Sequence, residues 1–229
     1  MSRFDTRGIL WPKWMERLWT KERGVEPSVG QLLYSLAIAR QPRLIVETGL
    51  FRGTGSTPWL AWAAQEIGSL HFAIDIDFAA CEAAAAMLER RNWLFEEGGC
   101  VGTIVTHIDA LNFISQVPDH SIDFLFLDDD HTTTHVKQEI EAYMPKMRLG
   151  SAMFFHDVIG TGPDFEIWET IKYYGGIRLA NRAYNYPENA PFGGLGMISI
   201  DDTDRNGLYP LAPYLQIPHR PGIESKRYG

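Results

Sequence analysis

Residues 121–157, SIDFLFLDDDHTTTHVKQEIEAYMPKMRLGSAMFFHD, contain the strongest structural signal in the chain. Nearly uninterrupted apolar runs at 121–128 and 151–157 enclose a segment, 133–147, with the composition of a helix. Strands that are apolar on both faces are typical of a parallel sheet covered by helices on each side. The pattern therefore predicts a strand, a crossover helix and a second parallel strand, connected in the right-handed sense.

The same alternation of short apolar runs and helical segments extends through most of the chain. Further strands are predicted at 43–47, 70–75 and 102–109, with a final pair at 175–180 and 193–200. Helices are predicted at 55–68, 79–92, 110–117 and 163–176, and before them where Leu32, Leu33, Leu36 and Ile38 recur at helical spacing. This order predicts an α/β fold with a Rossmann-like, doubly wound, mainly parallel seven-stranded sheet and helices on both faces.

The two ends of the chain differ in composition from this repeating core. Residues 1–27 mix tryptophans with charged residues, and we expect them to form an N-terminal arm or a lid. Residues 201–229 are rich in proline and turn residues, which favours an extended C-terminal arm. The domain itself is therefore expected to span residues 28–200, and either arm is a candidate contact in a homo-oligomer.

Composition and charge restrict the class of partner. The chain of 229 residues has a formal net charge of −8 and a pI near 5.4, which argues against nucleic acid as the main partner. Its 2 cysteines are too few for a disulfide framework, and no apolar run suits a signal peptide or a membrane span. These features predict a cytoplasmic protein without a nucleic-acid or membrane partner.

An acidic residue ends each of the predicted parallel strands, namely Glu47, Asp75, Asp109, Asp128 and Asp157. In an open α/β sheet, ligands bind outside the carboxyl ends of the strands, near the point where the strand order reverses. Each acid taken alone is equally well explained as the cap of the following helix. Together the acids predict a ligand site with an acidic rim.

The turn after the first predicted strand reads VETGLFRGTGS, residues 46–56, and contains Gly49, Gly53 and Gly55. Glycines at this place allow a ligand to approach the backbone, and the helix that follows offers free N–H groups. The turn matches neither the GxGxxG pattern of dinucleotide sites nor the pattern of a phosphate-binding loop. An acid at the end of the second strand, Asp75, suits the two hydroxyls of a ribose and would repel a 2′-phosphate.

On these residues the chain resembles the class I S-adenosylmethionine-dependent methyltransferases, over residues 28–200. The resemblance implies that the turn after strand one holds the methionine part of S-adenosylmethionine, through Glu47, Thr48, Gly49, Gly53 and Ser56. It also implies that Asp75 holds the ribose and that Asp109, in the segment HIDA, lies near the adenine amino group.

The fourth and fifth strands sharpen this resemblance. The segments LDDDH and AMFFHD are similar to metal-dependent O-methyltransferases of the catechol type and of the sugar or antibiotic type. The resemblance implies a magnesium site formed by Asp128 with His156 and Asp157. A histidine at position 156 departs from the acid–acid or Asp–Asn pair of the family, and it either binds the metal or only lies beside it. As a ligand, it would shift the metal preference toward Mn, Fe or Zn.

The same resemblance implies that His131, which follows Asp128 after two further aspartates, is the catalytic base. Histidine titrates near neutral pH and can take a proton from a hydroxyl whose pKa a bound metal has lowered. The competing interpretation is an exposed histidine in the first turn of a helix. His135 lies one helical turn further on, and we expect it to have a structural or supporting role.

The lack of basic residues near these acids supports a metal independently of the resemblance. No lysine or arginine occurs between Arg91 and Lys137, or between Arg148 and Lys172. The acids therefore need a basic residue from elsewhere in the fold, a protonated carboxyl or a divalent ion. A divalent ion such as Mg²⁺, which prefers oxygen ligands, is the most economical of the three.

These inferences predict an enzyme that transfers a methyl group from S-adenosylmethionine to a hydroxyl of a small molecule, such as a sugar, a polyphenol or an antibiotic intermediate. An NAD-dependent oxidoreductase of Rossmann type would also place Asp75 on a ribose, but the missing GxGxxG pattern counts against it. A metal-dependent hydrolase would use the same acids and histidines to activate water. A non-enzymatic binding module of the same fold is the remaining alternative, and the intact carboxylates argue against it.

Overall fold

The computed structural model describes residues 25, 27–94, 101–160, 167–180 and 192–201. The predicted N-terminal arm (1–27) and C-terminal arm (201–229) lie outside these residues, except for Val25, Pro27 and Asp201. Among the helices that are described, none is long and apolar enough to cross a membrane. The architecture below therefore concerns the predicted domain, 28–200.

The described residues form strands and helices in alternation, as the sequence predicts. The strands are β1 Leu44–Thr48, β2 Leu70–Asp75, β3 Gly102–His107, β4 Ile122–Leu127, β5 Met147–Gly160, β6 Ile177–Ala180 and β7 Phe192–Ser199. The helices are α1 Pro27–Arg40, α2 Thr57–Ile67, α3 Phe78–Glu89, α4 Ala110–Ile114, α5 Thr133–Tyr143 and α6 Ile167–Tyr173.

The strands form one 7-stranded sheet in the order β3-β2-β1-β4-β5-β7-β6. Strands β1 to β5 pair in parallel, and β7 pairs antiparallel with both β5 and β6. The predicted mainly parallel, doubly wound sheet is thereby confirmed. The strand order reverses between β1 and β4, because the chain first builds outward to β3 and then returns to the other side of β1. Ligand sites of open α/β sheets form at such a reversal.

Two apolar layers, one on each face of the sheet, hold the helices against it. Helices α1 and α2 cover the face on which Ile45 and Phe124 lie, and Phe124 stacks on Phe154 with ring centroids 4.4 Å apart. Helices α4, α5 and α6 cover the opposite face, which includes Val46 and Leu125. Because successive residues of a strand point to opposite faces, β1 must be apolar at both Ile45 and Val46.

Several element boundaries differ from the expectation. The helix predicted at 133–147 ends at Tyr143 and continues as a 3₁₀ turn, because Pro145 has no N–H to donate and crowds the preceding turn. Strand β5 begins at Met147 rather than at 151, since Met147 already pairs with Ile122 of β4. Strand β3 ends at His107, so Asp109 lies in the connection to α4 and not at the end of the strand.

Candidate active site

The turn between β1 and α2 packs tightly against neighbouring elements. Gly49 has φ +80°, and a Cβ at this position would lie 2.1 Å from the backbone oxygen of Asp128. Gly53 has φ +66°, and a Cβ there would lie 2.6 Å from Cα of Ala84 in α3. Both positions therefore require glycine, for the left-handed backbone and for the close approach of another segment. The contact at Gly49 also joins the predicted cofactor turn to the end of β4.

Asp75, the predicted ribose ligand, ends β2 beside this turn. Its Oδ2 accepts hydrogen bonds from the backbone N–H groups of Leu50 (2.7 Å) and Phe51 (3.2 Å). Its Oδ1 accepts one from the N–H of Asp77 (2.8 Å). The carboxylate thus holds the glycine turn against β2. Because each carboxylate oxygen can accept two hydrogen bonds, Oδ1 retains capacity for a ligand hydroxyl.

Glu47 corrects the expectation that every strand-ending acid lies on an exposed rim. It is fully buried, because β1 continues to Thr48 and Glu47 lies with Ile45 on the face that α1 and α2 cover. Its Oε2 lies 3.3 Å from Nε2 of His71, which is also fully buried. Nδ1 of His71 lies 3.1 Å from the hydroxyl oxygen of Thr103, so the carboxylate belongs to a polar chain inside the sheet.

Thr48, another predicted cofactor residue, ends β1 and is buried, whereas Asp109 and Ser56 lie at helix starts. Asp109 caps α4, because its Oδ1 accepts a hydrogen bond of 2.9 Å from the backbone N–H of Asn112. The capping interpretation therefore holds for this acid, which is partly exposed, and its contact with adenine stays a prediction. Ser56 directly precedes α2 and is buried, and its side chain makes no capping hydrogen bond.

The predicted metal ligands and the predicted base come together at the carboxyl ends of β4 and β5, in what we term the Asp128 cluster: Asp128, His131, His156 and Asp157. Oδ1 of Asp128 lies 2.8 Å from Nδ1 of His156 and 3.3 Å from Nε2 of His131. Asp157 lies 3.7 Å from Nε2 of His131 and 3.5 Å from Nδ1 of His156, through its two oxygens. One ligand atom of each side chain lies within 4.8 Å of the others, a spacing that suits a shared metal ion.

The backbone of Asp157 explains how two consecutive strand residues reach one cluster. In a regular strand, His156 and Asp157 would point to opposite faces of the sheet. Asp157 instead has φ +51°, and the pairing of β5 with β7 shifts in register between His156 and Ile159. Aspartate is one of the few residues that adopt this backbone readily. Irregularities of this kind re-aim side chains and are common next to active sites.

Histidines supply the positive charge that the sequence around these acids lacks. Burial raises the pKa of Asp128, but the charges and hydrogen bonds of His156 and His131 outweigh burial and bring the pKa below its usual range. Burial lowers the pKa of His131, but its hydrogen bond to Asp128 and the charges of Asp128 and Asp157 raise the pKa overall. The site therefore contains an ionised Asp128 beside an imidazole that readily accepts a proton.

A second cluster, the Glu139 cluster, consists of Asp129, His135 and Glu139. Nε2 of His135 lies 3.3 Å from Oδ2 of Asp129 and 3.8 Å from Oε2 of Glu139. Glu139 is fully buried, and its Oε1 accepts a long hydrogen bond of 3.5 Å from the hydroxyl of Thr48. The sequence interpretation omitted Glu139, although an acid at helical spacing with the apolar Val136 indicates a buried charge.

Comparison with known proteins agrees with this geometry. Residues 46–158 match the family model described as a methyltransferase domain. The O-methyltransferase from Bacillus cereus, solved in complex with SAH, is 18% identical, with a TM-score of 0.65 over 84% of this chain and 93% of that chain. The O-methyltransferase TomG from Streptomyces achromogenes, involved in tomaymycin synthesis and solved in complex with SAM, is 18% identical. Its TM-score is 0.61 over 83% of this chain and 91% of that chain.

Cofactor-bound Rv0187 from MTB is 19% identical, with a TM-score of 0.64 over 82% of this chain and 87% of that chain. A curated relative, the uncharacterized protein y4gI of Sinorhizobium fredii, is 29% identical over 99 residues. This match covers 43% of the present chain but only 10% of that relative's length. The family match covers residues 46–158, and the strand order together with the solved structures shows that the described residues have the fold of these methyltransferases.

Proposed function

We propose that this chain transfers a methyl group from S-adenosylmethionine to a hydroxyl oxygen of a small molecule, with the help of a divalent metal. The observation that carries the proposal is the close contact between Gly49 and the backbone of Asp128. Through this contact the glycine turn, which would hold the methyl donor, adjoins the Asp128 cluster, which would hold the acceptor. The acceptor class that we propose is a sugar, a polyphenol or an antibiotic-type intermediate.

The residues around the glycine turn fit S-adenosylmethionine. Gly49 and Gly53 fix the turn, and the positive end of the dipole of helix α2 beyond it would attract the methionine carboxylate. Asp75 would bind the ribose hydroxyls, and Asp109 would lie toward the adenine. Glu47 would support the turn from within β1, since its carboxylate is buried against His71.

The donor set of the Asp128 cluster fits a divalent metal. Carboxylate oxygens of Asp128 and Asp157 suit Mg²⁺, and a nitrogen of His156 shifts the preference toward Mn²⁺ or Zn²⁺. These ligand atoms converge from two different strands on one point of the sheet edge. A bound ion would supply a Lewis acid that lowers the pKa of the acceptor hydroxyl.

His131 would receive the proton that the acceptor hydroxyl loses. Its Nε2 lies 3.3 Å from Asp128 and 3.7 Å from Asp157. These two carboxylates stabilise the imidazolium that forms when Nε2 takes up the proton. The other task of the protein is to hold the acceptor oxygen in line with the methyl group, which is catalysis by orientation.

The other interpretations of the sequence have less support. An NAD-dependent oxidoreductase shares the ribose contact of Asp75, but the family match is to methyltransferases. A metal-dependent hydrolase would need only the Asp128 cluster. The tight packing of the glycine turn against Asp128 would then have no role in the reaction.

The proposal is tested by comparing Asp128→Asn with wild type. We expect Asp128→Asn to lose methyl transfer to a panel of catechol, sugar and macrolide acceptors, while S-adenosylmethionine binding, measured by calorimetry, changes less than about tenfold. The matched control is Asp130→Asn, which alters an exposed carboxylate of the same turn that bonds only to the N–H of Thr132 among the described residues. Full activity of the wild type in a strong chelator would refute the role of the metal, and failure to bind S-adenosylmethionine would refute the function.

A further inference from the structure

The Glu139 cluster has no role in the proposed reaction. Asp129 lies in the connection after β4, and His135 and Glu139 lie one helical turn apart on α5. The cluster shares no residue with the Asp128 cluster, although Asp128 and Asp129 are consecutive. Because neighbouring residues of the chain direct their side chains apart here, each cluster has its own ligand set.

Glu139 is the residue of this cluster whose buried charge needs compensation. Its side chain is 1% exposed, and its Oε2 accepts no hydrogen bond among the described residues. Nε2 of His135 lies 3.8 Å from Oε2, and a hydrogen bond with the carboxylate of Asp129 forms only if one of the two carboxyl groups is protonated. A buried carboxylate oxygen without a donor is costly, so a proton or a cation must compensate it. Burial, together with Asp129, raises the pKa of Glu139 well above its usual range, as expected for such a site without a cation.

The spacing of the three side chains suits a bound cation. Zinc binds nitrogen and oxygen at about 2.0–2.1 Å, so two ligand atoms of a tetrahedral site lie about 3.4 Å apart. Nε2 of His135 is 3.3 Å from Oδ2 of Asp129 and 3.8 Å from Oε2 of Glu139. All three ligand atoms lie within 4.8 Å of one another, which small side-chain adjustments would bring to a common ion.

We propose that Asp129, His135 and Glu139 form a second divalent-cation site, of the zinc type, distinct from the Asp128 cluster. Zn²⁺ accepts both imidazole nitrogen and carboxylate oxygen as ligands, whereas the nitrogen makes this set poorly suited to Mg²⁺, which prefers oxygen alone. Asp129 is exposed, so an ion and a water ligand can reach the site from solvent. Glu139 also bonds to Thr48, and a bound ion would therefore stabilise the end of β1, just before the glycine turn.

The test is the stoichiometry of zinc binding to the metal-stripped full-length chain, measured by calorimetry near neutral pH. If both clusters bind zinc, wild type takes up two ions, and Glu139→Gln and Asp128→Asn each remove a different one. We expect Glu139→Gln to weaken its site more than about 100-fold, beyond the effect typical of residues that only support a metal ligand. The matched control is Glu141→Gln on the same helix, whose carboxylate is exposed and pairs with Lys137.

The outcomes separate this site from the Asp128 cluster. In one outcome, wild type binds one ion that Glu139→Gln removes and Asp128→Asn leaves in place. This result would support the zinc site at the Glu139 cluster and contradict zinc binding at the Asp128 cluster. If Glu139→Gln leaves every bound ion in place, the second site is refuted and Glu139 is compensated by a proton. If circular dichroism shows that Glu139→Gln does not fold, the number of zinc ions bound by His135→Ala distinguishes the same outcomes.

Discussion

Asp157 combines a left-handed backbone, at φ +51°, with a carboxylate that lies 3.5 and 3.7 Å from nitrogens of His156 and His131. These two properties are separable. An asparagine tolerates the backbone and keeps the shape of the side chain, whereas a valine is strained there because its Cβ is branched. The residue thus offers a direct test of whether the irregularity in β5 is built into the fold.

We expect Asp157→Val to have a free energy of unfolding about 1–3 kcal/mol lower than Asp157→Asn, because only valine adds backbone strain. Asp157→Val should lose methyl transfer, since it removes every metal-binding atom of this side chain, whereas Asp157→Asn, whose amide oxygen can still bind a metal, should retain part of it. Urea denaturation measures the first difference, and an acceptor assay measures the second. Equal stabilities of the two variants would show that the left-handed backbone is not maintained in solution.

Asp128 and Asp157 were identified because acids that follow apolar strands meet at one edge of a parallel sheet, whereas His131 and His156 were implied by the resemblance to O-methyltransferases. The way in which the charges of the Asp128 cluster are balanced could not be predicted from the sequence. The sequence shows no lysine or arginine near Asp128, and only the fold brings His156 to 2.8 Å from it. Glu47 shows the opposite case, since an acid that looks exposed at a strand end lies buried against His71.

At the scale of elements, the turn between β1 and α2 depends on glycine for two separate reasons. Gly49 has φ +80°, and an added Cβ would lie 2.1 Å from the backbone oxygen of Asp128. Gly150, in β5, has nearly the same backbone, φ +82°, but an added Cβ would meet nothing within 4 Å. The pair therefore separates backbone strain from steric overlap.

We expect Gly150→Ala to lower the free energy of unfolding by about 1–2 kcal/mol, the cost of a left-handed backbone for alanine. Gly49→Ala should cost about 1–3 kcal/mol more, because its Cβ also forces β1 and β4 apart. It should in addition weaken S-adenosylmethionine binding, which Gly150→Ala should leave unchanged. Chemical denaturation and calorimetry measure the two effects. Equal costs at the two positions would contradict the packing described for the turn.

The elements differ in how well the sequence predicted them. Helix α5 and strand β5 were recognised, but their shared boundary was misplaced, because Pro145 ends the helix and the pairing of Met147 with Ile122 starts the strand early. Strand pairing joins residues that are distant in sequence, so local composition could not reveal where β5 begins. The register shift near Asp157 could not be predicted for the same reason, because it is defined by the pairing of β5 with the distant strand β7.

At the scale of the whole molecule, the proposed function is tested most directly by which cofactor stabilises the folded protein. A ligand present at 100 times its dissociation constant stabilises the folded state by about 2.7 kcal/mol. For a protein of this length, that raises the melting temperature by about 5–10 °C. We expect S-adenosylmethionine to produce such a shift in a thermal-denaturation assay and NAD at the same concentration to produce none. A shift with NAD alone would favour the oxidoreductase instead.

The α/β class and the doubly wound, mainly parallel sheet follow from sequence periodicity, because burial on both faces leaves strands such as 121–128 apolar throughout. The same periodicity located the ligand-binding edge, since parallel strands all end there. Two features required the tertiary structure. One is the burial of Glu47 and Glu139, which depends on which helix covers which face of the sheet. The other is how His156 and Asp157, which the resemblance assigns to one metal site, both reach it, since this depends on the left-handed backbone of Asp157 and on a register shift between β5 and β7. Local sequence encodes the period of each element, whereas only contacts between elements decide which polar groups meet.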